Sequence, residues 1–431
     1  MSLSLHLKVR GIIAGLSMIG MLGMPVPNAT ASPGTVPVTS HAQLTTGSFV
    51  MPQAVRKDGA VPCKFVSSKT STISGANVPA RAGGSKTQQY AFVTLMNCLL
   101  DAIPRGGSAS ISTYELNDNG ATNSLISAIS NRRVKLVFAT SGQHGTAQTN
   151  RLKKAIAGAS ATGSRFILCN HSCYWSGSGG IHHAKVAVFK QVIGAEGKAI
   201  NNLIVTASGN LDSANMRQWN AWEILTGKPK LYAAAKNYID GMAVDRTSFF
   251  KAVTEGGATL GFGPTKGSDL SLGAIKGFGC SAGTSVIRVQ MYIIAGKRGK
   301  QAVSWLRQKQ REGCRVGVIY SSLRSSKSTV KRLSGYCPTY SGQRRCIELY
   351  DAYKHSSKST SAIYTHAKTV ALRGYKVVKG KKVAVNIYVG GSRNWSDNSH
   401  NTEISVRVSS KVFVSQAFDR FNVVSKFSVK K

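Results

Sequence analysis

Apolar and polar positions fall into regular periods only after residue 88. Residues 91–103 carry Phe92, Leu95, Met96, Leu99 and Leu100 on one side, the spacing of an amphipathic helix. Residues 108–116 alternate as a strand, and 121–130 read as a helix. A strand is predicted at 132–139 (RRVKLVFA), a helix at 148–157 and a short strand at 165–169. The order then recurs. Residues 286–294 (VIRVQMYII) form a strand, 300–312 a helix, 315–320 (RVGVIY) a strand, 329–333 the start of a helix and 346–350 (CIELY) a strand. Alternating β and α elements predict an α/β fold, and repetition of the whole unit predicts two similar halves around a pseudo-twofold axis.

This divides the chain into a first half at 85–225 and a second at 281–431. The connecting segment, 226–280, holds a helix at 230–239 and the glycine-rich stretch GGATLGFGPTKG. Residues 32–84, rich in Ser, Thr, Gly, Pro and Ala, read as a poorly ordered lead-in. Lys8 and Arg10, the apolar run 11–24 and the small residues Ala29, Thr30 and Ala31 read as a secretory signal peptide spanning 1–31. The run is shorter than the ~20 residues of a membrane span. An exported, extracellular protein is expected.

Eight cysteines follow the leader, an even number that in an exported chain predicts disulfides. Cys169 with Cys173, and Cys337 with Cys346, lie close enough to close local loops. Cys63–Cys98 and Cys280–Cys314 are open to the other four, although spacing alone does not fix connectivity. The pattern lacks the repeated C-x-x-C of a zinc site. Charge adds a constraint on partners. Lys and Arg number 56 against 17 Asp and Glu, for a net charge of +39. Such a surface attracts nucleic acid, anionic lipid or an acidic polymer, and charge alone does not choose among them.

Chemistry concentrates after the third strand of each half. The first half reads GGIHHAKVAVFK, LIVTASGNLD and NAWEI; the second reads IYTHAKTVALR, IYVGGSRNWS and NTEISV. His183-x-Lys185 aligns with His366-x-Lys368, Ser208-x-Asn210 with Ser392-x-Asn394, and Glu223 with Glu403. The gaps from Lys to Ser are 23 and 24 residues. Strand alternation puts each His and Lys on one face, and the returning strand delivers Ser and Asn beside them. Two lysines would neutralise a phosphodiester, and Ser and Asn would hold its oxygens. One His would attack phosphorus, the other would protonate the leaving alkoxide, and the glutamates would orient the imidazoles. No metal or cofactor is required.

These residues resemble the phospholipase D superfamily, whose motif is His-x-Lys-x4-Asp followed by Gly-Ser-x-Asn. The resemblance spans roughly 88–408 and implies two phospholipase D-like α/β halves and a phosphohistidine intermediate. By analogy with secreted bacterial members it makes His183 the nucleophile and His366 the general acid. The chain departs from the motif: Lys190 and Arg373 stand where the aspartates would fall, and Ala207 replaces the first glycine, which Gly391 keeps in the second half. The implied function is a secreted phospholipase D-type hydrolase acting at a phospholipid or membrane surface. The alternatives are a metal-independent extracellular nuclease, for which nucleic acid is the partner, and a catalytically degenerate polyanion-binding protein. Two motifs in one chain predict a monomer. Among the remaining residues, His182 is expected at the cavity rim, His171 and His144 in loops, and His400 on the second-half side of the site. Tyr174 and Trp175 are read as either an entrance flank or packed aromatics. Lys376, Lys379, Lys381 and Lys382 form a basic turn.

Overall fold

The computed structural model of the chain describes residues 58–69, 72–159, 162–175, 177, 179–243, 247–265, 269–280, 284–353, 362–378, 380–397 and 400–431. The predicted leader and Lys379 lie outside these residues.

In the first half, strands β1 (Ser108–Ser112), β2 (Lys135–Ser141), β3 (Arg165–Cys169), β4 (Val186–Ile193), β5 (Ala199–Ala207) and β6 (Ala221–Leu225) form one sheet in the order β6-β5-β4-β1-β2-β3. In the second, β7 (Val286–Met291), β8 (Arg315–Tyr320), β9 (Glu348–Asp351), β10 (Lys368–Val378), β11 (Lys381–Gly391) and β12 (Ile404–Ser409) run β12-β11-β10-β7-β8-β9. Each strand therefore has a counterpart six places later. The pairing sense matches too. The first three strands of each half are mutually parallel and the next three are joined antiparallel. The expected α/β fold with two similar halves is observed.

Helices repeat in the same way. α1 (Ala91–Asp101), α2 (Asn119–Arg132), α3 (Ala147–Gly158) and α4 (Pro229–Asp240) correspond to α5 (Leu270–Lys276), α6 (Gly296–Arg311), α7 (Lys327–Lys331) and α8 (Lys411–Lys426). Side-chain caps set several starts: Asp118 accepts from the Ala121 amide, Thr146 from Thr149, and Ser410 from Phe413. α1 and α2 cover one face of the first sheet, burying Leu95, Leu99, Leu125 and Ile129 against Ile111, Phe138 and Phe189. α5 and α6 do the same for the second sheet. A middle layer joins the halves: Val188, Ile204 and Leu225 of the first sheet pack in one cluster with Leu231 and Tyr238 of α4, Tyr388 and Val406 of the second sheet, and Phe413 of α8. With both faces covered, strands such as LIVTA read as continuous apolar runs.

Two readings of the sequence are corrected. Residues 226–280 are not a connector between finished halves. α4 closes the first half, strand Ala258–Phe262 pairs with β12, and α5 opens the second half. Nor is the lead-in all irregular, because strand Thr72–Ala76 pairs antiparallel with β6 and extends the first sheet. Glycine and serine content hid that strand, whose order comes from its neighbour rather than from its own propensity. The four disulfides are Cys63–Cys98, Cys169–Cys173, Cys280–Cys314 and Cys337–Cys346. No helix among the described residues is long and apolar enough to cross a membrane.

The sheets approach closely at Gly390. A Cβ there would lie 2.2 Å from Oε1 of Glu223 in the facing sheet. Gly390→Ala should cost about 1–3 kcal/mol through this clash. It would be read as a lower midpoint of urea unfolding with the disulfides intact. An unchanged midpoint would mean that the halves have room to spare at this contact.

Candidate active site

Each motif histidine is held by a strand of the other half. A parallel bridge joins His182 to Thr402, and the His183 amide donates to the Thr402 carbonyl at 2.9 Å. The pairing of Thr365 with Trp219 is its counterpart, with the His366 amide donating to Trp219 at 3.1 Å. The residue after each acceptor then faces the imidazole. Glu403 meets His183 Nδ1 at 3.0 and 3.1 Å, and Asn220 Oδ1 meets His366 Nδ1 at 2.9 Å. The orienting groups are thus exchanged across the pseudo-twofold axis.

The pairing also fixes the histidine tautomers. Asn220 donates both amide hydrogens, to Asn215 Oδ1 at 2.7 Å and Gln218 Oε1 at 2.9 Å. Its Oδ1 is left to accept from His366 Nδ1, so Nε2 of a neutral His366 carries the free lone pair. Glu403 imposes the same tautomer on His183, because a carboxylate only accepts. Ser208 donates to Asn220 Oδ1 at 3.1 Å, and Ser392 donates to Glu403 Oε2. Each serine oxygen in turn accepts a backbone amide, from Ala221 at 2.9 Å and Ile404 at 3.0 Å.

These bonds correct the sequence alignment. Ser208 relates to Asn220 and Ala221 as Ser392 relates to Glu403 and Ile404. Asn220, not Glu223, is therefore the counterpart of Glu403. Glu223 lies three residues further on, fully buried, accepting from Tyr388 Oη at 2.5 Å and Thr206 Oγ1 at 2.7 Å. Burial raises its pKa in spite of those bonds. It ties the sheets together and does not orient His366. Each serine hydroxyl proton goes to the orienting side chain beside it. Asn210 and Asn394 keep a buried Oδ1 with no protein partner, Asn210 Nδ2 donating to Asp212 at 3.3 Å.

Both lysines are buried beside the histidines. Lys185 Nζ donates to the His183 carbonyl at 2.7 Å, and Lys368 Nζ to the Ser208 carbonyl at 3.4 Å. Each lies over a tyrosine ring that sequence reading missed: Lys185 is 5.2 Å from the centre of Tyr114 and Lys368 is 5.3 Å from that of Tyr292. These rings also sit edge-on to His183 and His366, at 5.5 and 4.8 Å. Both tyrosines follow the first strand of their half, in SISTY and RVQMY, so aligning the halves beyond the motifs would have exposed them.

The electrostatics follow from four basic groups sharing a buried space. Burial pulls His183 down to about 4, against the opposing pull of Glu403. It pulls Lys185 down to about 7. His366 and Lys368 are driven well below their ordinary values, first by burial and then by the neighbouring cations. Burial opposes the charge on Glu403 as well, but His183, Lys185 and Ser392 outweigh it and hold the carboxylate below its usual range. A bound anion would supply what the cluster lacks.

Other expected residues fall in the following places. His182 is not at the rim: it is fully buried, with Nε2 3.1 Å from Ser112 Oγ, and burial takes it down to about 3. His171 lies in the Cys169–Cys173 loop, where its carbonyl accepts from the His182 amide. His144 bonds to Tyr114 Oη. Trp175 stacks on His400 at 3.8 Å, bridging the halves, whereas Tyr174 is core, packed on Tyr238 and Phe250. Lys190 and Arg373 are exposed, and the Arg373 guanidinium lies 4.9 Å from the Phe418 ring centre. Cys169, Cys173 and His182 form a compact cluster of metal-ligand type, but its sulfurs are joined in a disulfide.

No family model matches the chain, and neither does any curated protein. Solved structures do. Phosphatidylserine synthase of Haemophilus influenzae Rd KW20 aligns with 80% of this chain and 86% of its own at 9% identity, with a TM-score of 0.52. Polyphosphate kinase of Porphyromonas gingivalis aligns with 82% of this chain at 10% identity and a TM-score of 0.47; this chain spans half of its length. A yeast tyrosyl-DNA phosphodiesterase variant aligns with 79% of this chain and 90% of its own, at 10% identity and a TM-score of 0.44. The likeness to the synthase is one of fold.

Because Lys185 loses part of its charge near neutral pH, anion binding should draw a proton in. Tungstate titrated calorimetrically at pH 7.5 should show net proton uptake when buffers of different ionisation enthalpy are compared. Affinity should fall as pH rises through about 7. Lys185→Met should reduce the uptake. Proton release in the wild type would contradict the assigned charge state.

Proposed function

We propose that this protein is an exported phosphodiesterase of phospholipase D type that hydrolyses phospholipid head-group esters through a phosphohistidine. What carries the reading is the crossed arrangement in which Glu403 holds His183 and Asn220 holds His366, with a lysine beside each. With Nδ1–H donated to a carboxylate, His183 offers Nε2 to phosphorus, and Glu403 offsets the positive charge that its ring acquires on phosphorylation. His366 has only neutral partners, the Asn220 amide and the Ser208 backbone. Its imidazolium is the less stabilised of the two and hence the better proton donor.

In the first step the His183 Nε2–P bond forms as the P–O bond to the alcohol breaks. The proton on His366 Nε2 goes to the departing oxygen. In the second step neutral His366 takes a proton from water, the hydroxide attacks phosphorus, and the N–P bond breaks to release the phosphomonoester. Lys185 and Lys368 balance charge on the phosphoryl oxygens throughout. Asn210 and Asn394 stand at equivalent positions to hold those oxygens through their amides. The residues supply nucleophile, acid–base group and charge neutralisation without calling on a metal.

Lipid is favoured as the substrate class because the fold neighbour above is a phosphatidylserine synthase. The four disulfides suit an oxidising compartment, in keeping with export. Both motifs lie in one chain, so a monomer holds a whole site. The net charge of +39 favours a second reading, a metal-independent nuclease.

The test is one panel in EDTA: phosphatidylcholine, phosphatidylglycerol and plasmid DNA with the same enzyme. Head-group release without nicking is expected, with His183→Ala lowering the rate by about 10³-fold or more. Nicking without head-group release would replace the lipid reading with the nuclease one. No product on any substrate, with tungstate still bound, would leave a polyanion-binding protein.

A further inference from the structure

The two halves differ where β10 and β11 leave the second sheet. In the first half the equivalent turn, after β4, is covered. Cys63 bridges to Gly194, the Ala195 amide donates to the Val66 carbonyl, and Ser67 bonds Glu196. In the second half both strands run 11 residues, against 8 and 9 in the first. The ribbon is clamped at its base. The Gly279 amide donates to the Tyr375 carbonyl at 2.7 Å, Tyr375 Oη donates to the Cys280 carbonyl at 3.1 Å, and Cys280 is tied to Cys314.

Beyond that clamp the tip stands bare and has an unusual composition. Val377, Val378 and Val383 are 62%, 39% and 44% exposed. Three successive cross-strand pairs each match one of these valines with a lysine: Val378 with Lys381, Val377 with Lys382, and Lys376 with Val383. Directly paired residues share a face, so each face of the ribbon carries both apolar and cationic side chains. A ribbon kept only for solubility would not expose three β-branched residues. One kept only for a polyanion would need the lysines and not the valines.

We propose that this ribbon docks on an anionic lipid bilayer, valines entering the interface and lysines meeting the head groups. The inference does not depend on the chemistry of the active site. Lys368 and the tip lie at opposite ends of β10, about 33 Å apart at ~3.3 Å per residue, so the ribbon is a surface separate from the active site.

The test is sedimentation with vesicles of phosphatidylcholine alone or with about a third phosphatidylglycerol. It is run on the wild type and in a His183→Ala background, where lipid turnover cannot alter the vesicles. Binding is expected to need the anionic lipid. Changing Val377, Val378 and Val383 together to Ser should weaken it about tenfold or more, while leaving affinity for dextran sulfate unchanged. Changing Lys376, Lys381 and Lys382 together to Gln should weaken vesicle binding about a hundredfold, roughly fivefold per lysine. Circular dichroism and melting temperature should match the wild type in both. A valine variant that sediments as the wild type does would overturn the proposal and leave a basic ribbon for soluble polyanions.

Discussion

Two imidazoles, each gripped by a side chain from the opposite half, set the terms for the rest of the molecule. A His–Glu or His–Asn contact at about 3 Å tolerates little displacement. The sheets must therefore be locked face to face, and the buried Glu223–Tyr388 bond, the close approach at Gly390 and the shared layer of α4 and α8 serve that end. Neither half holds a complete site. The bridges from Thr402 to His182 and from Trp219 to Thr365 make the site a property of the interface.

The same arrangement has an energetic cost. Two lysines and two histidines share a buried space with Glu403, and burial pushes all four basic groups toward their neutral forms. Such a cluster is destabilising while empty and is relieved when an anion arrives. For His183 the folded pKa of about 4 lies below its ordinary value. That contribution to stability is present above the ordinary value and is lost as pH falls through about 4. A carboxylate on one imidazole and an amide on the other make a nearly symmetric site electrostatically asymmetric.

Much of this was legible in the sequence. The strand and helix order of both halves followed from apolar periodicity, and the spacing of His, Lys, Ser and Asn brought those residues together. The cysteine pairs left open by spacing are the pairs formed. Glu403 was found and Asn220 was not, for a physical reason. Matching by residue type slides Glu223 onto Glu403, whereas the true equivalence is fixed by Ser208 and Ser392 bonding to the strand that follows. The strand at Thr72–Ala76 was hidden because its order is lent by β6, and the buried setting of His182 because one residue beside a motif carries no periodic signal. Tyr114 and Tyr292 were within reach, each inside a strand already predicted at 108–116 or 286–294.

On this reading the carboxylate chooses the nucleophile. Peptide mass spectrometry after acid-free quenching would locate the phosphoryl adduct in the wild type and in the double variant Asn220→Asp, Glu403→Gln, which moves the charge between halves with little change in shape. The adduct is expected on His183 in the wild type and on His366 in the swapped protein. An adduct on His366 in the wild type, or one that stays on His183 after the swap, would contradict it.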